Sequence, residues 1–207
     1  MVLAALSAAL LVASAGTGAS PQSLTISVSR PSVVFGNSVT LSGKVSDSKV
    51  GEKVEVLAEP SGASSFSTLT TVDTTAGGQW TDVVKPTIET SYQAKWKSAT
   101  SSTVTVKVRP LITLTLVNLS TGTFSVKVAA ARSFAGKFVL VQRLSSTGVA
   151  TLKKVTLDAS SSATFRVRLH HGRSRLRVVM PTSQTAPGYI TPARARCSPF
   201  TARRNPD

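Results

Sequence analysis

Val104, Val106 and Val108 alternate with Thr105, Lys107 and Arg109, and Pro110 follows directly. A period of two puts the three valines on one face of an extended strand, whereas a helix would scatter them around its surface. Proline cannot donate a ladder hydrogen bond, so the strand ends there and a new unit opens at Leu111. That boundary divides the 207 residues into two stretches, each long enough for one small sandwich.

The same alternation runs through residues 22–109. Leu24, Ile26 and Val28 open it, Arg30-Pro31 breaks it, and Val39, Leu41, Gly43 and Val45 share the next face. Val54, Val56 and Ala58 follow, then a strand of mixed polarity over 66–72, as expected near a sheet edge. The turn Thr75-Ala76-Gly77-Gly78 leads to Trp80, and Tyr92, Ala94 and Trp96 alternate with Gln93 and Lys95. Trp80 and Tyr92 read as core. Trp96 reads either way, because it nears a strand end from which a ring can reach the surface.

Residues 111–192 repeat this order. Ile112, Leu114 and Leu116 open, and Phe124, Val126 and Val128 follow a turn. Gly136 precedes a strand over 137–143, as Gly51 precedes its counterpart. Leu152, Val155 and Leu157 mark a strand with an irregularity near Lys153-Lys154. Phe165, Val167 and Leu169 take the place of the Trp80 strand, Leu176, Val178 and Met180 follow, and Tyr189-Ile190-Thr191 is the expected finish. Duplication of one sandwich unit explains this better than a single continuous fold. Each half is expected to close its own apolar interior.

Met1 to Leu11 is almost wholly apolar, and Ala13-Ser14-Ala15 fits a signal-cleavage site, although no positive residue precedes the apolar run. Residues 1–19 therefore read as a signal peptide, with no membrane span in the mature chain. Residues 193–207 lack alternation and read as a flexible basic tail. The lone Cys197 excludes an intrachain disulfide, so the sandwiches must hold by sheet packing.

The charge is uneven. Residues 20–109 hold nine Lys/Arg against seven Asp/Glu, while 110–207 hold fifteen against two, a surplus of +13. An anionic cell-wall polymer or glycan is the expected partner of the basic half, through Lys127, Arg166, Arg168, Arg175 and Arg177. Nucleic acid is disfavoured, since ring platforms there are few and no recognised motif is present. Tyr92 and Trp96 are the alternative contact, stacking on a glycan.

Catalytic patterns do not emerge. Glu55 and Glu59 share a strand face but stand about 13 Å apart, too far for paired-carboxylate hydrolysis. His170 and His171 are adjacent and face opposite ways on a strand, so no metal site forms easily. Asp47, Asp73 and Asp82 are too sparse for a calcium cage. No cofactor motif is present, and the chain reads as non-enzymatic.

The segment Phe35-Gly36-Asn37-Ser38-Val39-Thr40-Leu41-Ser42-Gly43-Lys44-Val45 resembles the early strands of tandem bacterial immunoglobulin-like domains. Gly51 to Leu57, Gly78-Gln79-Trp80, Thr90 to Ala94, Gly136 to Arg143 and Ser174 to Val178 are similar to later strands of that family. Such domains occur in exported proteins of high-GC Gram-positive bacteria. The resemblance implies an all-β chain of two consecutive immunoglobulin-like β-sandwich domains, 22–109 and 111–192, after a signal-like segment. It also implies a secreted or cell-surface spacer or interaction role; the alternatives are a carbohydrate-binding module or an accessory pair of a secreted hydrolase.

Overall fold

The computed structural model describes residues 22–168 and 172–192, with the short strands at 195–196 and 200–202. Residues 1–19, expected to be a signal peptide, and His170, His171 and Cys197 lie outside the described residues. In chain order the strands of the first half are β1 (Ser27–Val28), β2 (Ser32–Val34), β3 (Val39–Lys44), β4 (Lys53–Pro60), β5 (Ser67–Asp73), β6 (Gln79–Val84), β7 (Thr90–Trp96), β8 (Ala99–Thr100) and β9 (Val104–Arg109). Those of the second are β10 (Leu111–Asn118), β11 (Thr123–Ala129), β12 (Phe138–Ser145), β13 (Gly148–Thr156), β14 (Ser162–Arg166), β15 (Gly172–Ser174), β16 (Leu176–Val179), β17 (Ala195–Arg196) and β18 (Phe200–Ala202).

The first half is a sandwich of two sheets, β1-β3-β6 facing β2-β9-β7-β4-β5, with β8 paired to β7. Its pairings are antiparallel except β2 with β9, which run parallel with Val33 beside Val108. The break at Arg30-Pro31 is where the opening segment changes sheets. The Pro31 carbonyl accepts from the Lys107 N–H at 3.0 Å, and the Phe35 N–H donates to the Arg109 carbonyl at 2.8 Å. Val39, Leu41 and Val45 meet Val54, Val56, Tyr92, Ala94 and Val106 across the interior, all buried. Each such aliphatic side chain contributes about 1.5–3 kcal/mol through burial.

The second half repeats the order, β10-β11-β14 against β13-β12-β16-β17. Phe124 and Phe165 are paired across β11 and β14 and stack at 5.9 Å between centroids. The register shift in β13 falls at Leu152, where Val141 faces Lys153 and Gln142 faces Thr151. The fold is therefore all-β, two immunoglobulin-like sandwiches in succession.

Three expectations are corrected. Tyr189-Ile190-Thr191 is not a strand. β17 is the segment that pairs with β16, Val178 beside Ala195, and Ala195–Arg196 and Phe200–Ala202 are strands rather than tail. An edge strand is held by backbone ladder bonds, which any non-proline residue supplies, so it forms without valine alternation. The buried residues, finally, form one connected set across both halves rather than two closed interiors.

The link is the segment after β16. The Tyr189 hydroxyl donates to the Thr87 carbonyl and accepts from the Ala131 N–H, both at 2.9 Å. Its ring meets Phe134 edge-on at 5.9 Å. The Glu89 N–H donates to the Gly188 carbonyl at 2.9 Å, the Ile190 N–H to the Val108 carbonyl at 3.0 Å, and Arg109 Nη1 to the Thr191 carbonyl at 2.7 Å. Gly188 has φ +79°, and a Cβ there would stand 2.6 Å from Ile88 Cγ1, so glycine is needed for both conformation and approach.

Candidate interaction surfaces

Lys127 and Arg166 lie on the sheet β10-β11-β14, with Lys127 opposite Ser162 and Arg166 opposite Thr123. Arg177 lies on the other sheet, opposite Gln142, and Arg175 precedes β16 on the same phase. Both faces of the sandwich are therefore cationic, and the structure does not gather the five residues into one groove. Lys127, Arg166, Arg168 and Arg175 are exposed. Arg177 is half-buried, and its Nε donates to Gln142 Oε1 at 2.8 Å. Arg143 Nη2 donates to the Arg168 carbonyl at 3.1 Å, tying β12 to the segment after β14. Lys154 Nζ stands 4.0 Å from the Phe138 ring centroid.

Asp158 is the one carboxylate side chain between residues 110 and 206. Its Oδ1 accepts from the Ser160 hydroxyl at 2.7 Å and from the Ser160 and Ser162 N–H groups at 2.9 and 3.0 Å. These bonds, the Ser160 hydroxyl first, hold its carboxyl below the usual aspartate range. It serves its own turn and forms no ion pair among the described residues.

The aromatic alternative is overturned. Tyr92 and Trp96 are each 2% exposed, so neither presents a ring face to a sugar. Burial pushes the Tyr92 phenol up to about 12. Tyr92, Ala94 and Trp96 share one phase of β7, and that period alone carries Trp96 inward with Tyr92. The Trp96 indole Nε1 donates to Glu52 Oε2 at 2.9 Å, which satisfies its one polar atom at the edge of the core. Lys97 Nζ lies 2.8 Å from the same oxygen, 3.4 Å from Asp47 Oδ2 and 4.4 Å from the Trp96 ring centroid. The Lys97 ammonium, then the indole N–H, hold Glu52 below its usual value, and Glu52 in turn raises Lys97.

Asp47, Asp73 and Asp82 are not brought together. Asp47 meets Lys97, Asp73 meets Lys53 at 2.6 Å on the surface, and Asp82 lines a separate cleft. Among the described residues no three His, Cys, Asp or Glu side chains are placed to share a metal ion. No helix there is long and apolar enough to cross a membrane.

A cleft of about 410 Å³ opens between the edge strands β5 and β6, with Leu69, Asp82, Val84, Ile88, Thr90 and Tyr92 among its lining. Leu69 and Val83 at its margin are 51% and 67% exposed. Sequence reading passes over this cleft, because Asp82 alternates with Trp80 and Val84 as though it were one more core position.

No family model matches the chain, and no curated protein matches its sequence. Among solved structures, one similar in fold is a tetra-tandem repeat in the extending region of a large adhesion protein. It is 16% identical, with a TM-score of 0.36, over 88% of this chain and 50% of that one. This chain thus spans about half the length of that structure. Another is a cytokine receptor complex, 10% identical with a TM-score of 0.39, over 88% of this chain and 97% of that one.

Proposed function

We propose that the chain is a non-enzymatic spacer and interaction protein of the bacterial cell surface, whose basic second sandwich rests against an anionic wall polymer. One observation carries the reading: exposed cations occupy both faces of that sandwich, while its one internal carboxylate is occupied by Ser160 and Ser162. Cations without carboxylate neighbours attract polyanions over about a Debye length and lose that attraction to salt. The bonded junction at Tyr189, Gly188 and Ile190 supports the spacer part, since it resists bending between the two sandwiches.

The test is retention of the full chain on purified polyol-phosphate wall polymer across a salt series, with a neutral glycan as control. Retention should fall steeply with salt, and Lys127→Gln/Arg166→Gln and Arg175→Gln/Arg177→Gln double variants should each weaken it. Retention indifferent to salt, or equal on the neutral glycan, would reject the reading.

A further inference from the structure

The sheet β1-β3-β6 ends at β6, and among the described residues no strand pairs with its outer side. The Val45 N–H donates to the Gly78 carbonyl at 2.9 Å, in line with the β3–β6 register of Gly43 beside Trp80 and Leu41 beside Asp82. Alternation of the antiparallel ladder then turns the backbone groups of Trp80, Asp82 and Val84 toward β3. Those of Gln79, Thr81 and Val83 face outward. The Gln79 carbonyl is taken by the Thr75 N–H at 2.7 Å and hydroxyl at 3.1 Å. Thr81 and Val83 are left, each offering an N–H and a C=O at strand spacing.

The side chains follow the opposite rule. Asp82 stands opposite Leu41, which is fully buried, so a carboxylate occupies the inward phase of an edge strand. It borders the cleft and forms no ion pair among the described residues; Lys85, on the same lining, is exposed. The second sandwich shows what closure looks like at this position. There the Ser162 carbonyl accepts from the Asp158 N–H at 2.8 Å, as the Gln79 carbonyl does from Thr75. Three residues after Ser162 comes Phe165, stacked on Phe124 and 5% exposed. The first sandwich has Asp82 and an open cleft in its place.

We infer that the β6 edge and the adjoining cleft form a docking site for an extended segment of a partner polypeptide, which pairs with Thr81 and Val83 and sets a lysine or arginine side chain against Asp82. Backbone groups at strand spacing call for a strand, the apolar walls for alternating aliphatic side chains, and the lone carboxylate for a cation. A second copy pairing through its own β6 is a poorer occupant, because it would bring another Asp82 rather than a cation to the carboxylate.

The test titrates the full chain with short synthetic peptides that alternate threonine and valine around one central lysine, glutamate or alanine, read by amide hydrogen exchange and by affinity. The lysine peptide should protect the Thr81 and Val83 amides and bind at least about tenfold more tightly than the glutamate peptide. Asp82→Asn should erase that preference, and Asp82→Lys should reverse it. Val83→Pro should abolish binding while keeping the thermal transition, since the lost N–H does not serve the β3 ladder. Equal affinity for the lysine and glutamate peptides, no binding by any peptide, or self-association through β6 instead would each overturn the inference.

Discussion

Tyr189→Phe isolates the bond between the two sandwiches. The substitution keeps the ring against Phe134 and removes only the hydroxyl, which donates to Thr87 and accepts from Ala131. Both bonds are 2.9 Å long and partly buried. A net contribution of about 1 kcal/mol per bond, with some further penalty for stranded partners, places the loss at about 2–3 kcal/mol. For a chain of this length that lowers Tm by roughly 4–12 °C. Thermal unfolding followed by circular dichroism measures the shift, and amide exchange at Ala131, whose acceptor is gone, localises it. An unchanged Tm together with unchanged Ala131 exchange would show that the junction is not held by this hydroxyl. A transition that splits in two would show that the junction was what made the halves unfold together.

Gly43→Ala should cost about 2–3 kcal/mol by overpacking, read as a lower urea midpoint at unchanged slope. The added Cβ would meet Trp80 Nε1 at 2.6 Å and press on the Thr25 carbonyl; wild-type stability would mean that both the indole and the Thr25 backbone can shift. The Glu52–Lys97 pair gives a pH dependence of defined sign. Glu52 is depressed on folding, so its contribution is present above the ordinary glutamate value and is lost as pH falls through the folded one. Lys97 is raised, so its contribution is present below the ordinary lysine value and fades as pH rises through the folded one. Glu52→Gln should flatten both limbs of the urea-midpoint profile, and an unchanged acid limb would remove Glu52 from the account.

Much of the fold is legible in period-two segments. Val39 to Val45, Val54 to Ala58, Tyr92 to Trp96 and Val104 to Val108 lie where their alternation puts them, because burial of one sheet face is a local constraint written residue by residue. The parallel union of β2 with β9 is not legible, since it depends on a crossover at Pro31 that pairs residues far apart in sequence. Tyr189 looks like a strand residue by neighbourhood, yet it is spent on a contact with the other half. Trp96 shows the reverse case: its phase alone was sufficient, and its nearness to a turn argued for a surface role that Glu52 makes unnecessary. The cationic residues are visible at once, and the strand order already puts the Arg166–Arg168 and Arg175–Arg177 pairs in opposite sheets, as the pairing shows. Asp82 is visible in the sequence as a calcium candidate, but its place beside an open cleft depends on the pairing of β3 with β6.

The junction also sets an order of events in synthesis. Ile88 and Val108 emerge from the ribosome long before Gly188, Tyr189 and Ile190, their partners across the waist. During that interval the leading sandwich has strands but lacks the plug that seals its end. The ladders of the leading sandwich do not involve residues 188–190, whereas the contacts at its end wait for them, and a product cut after Pro110 would leave that end uncovered.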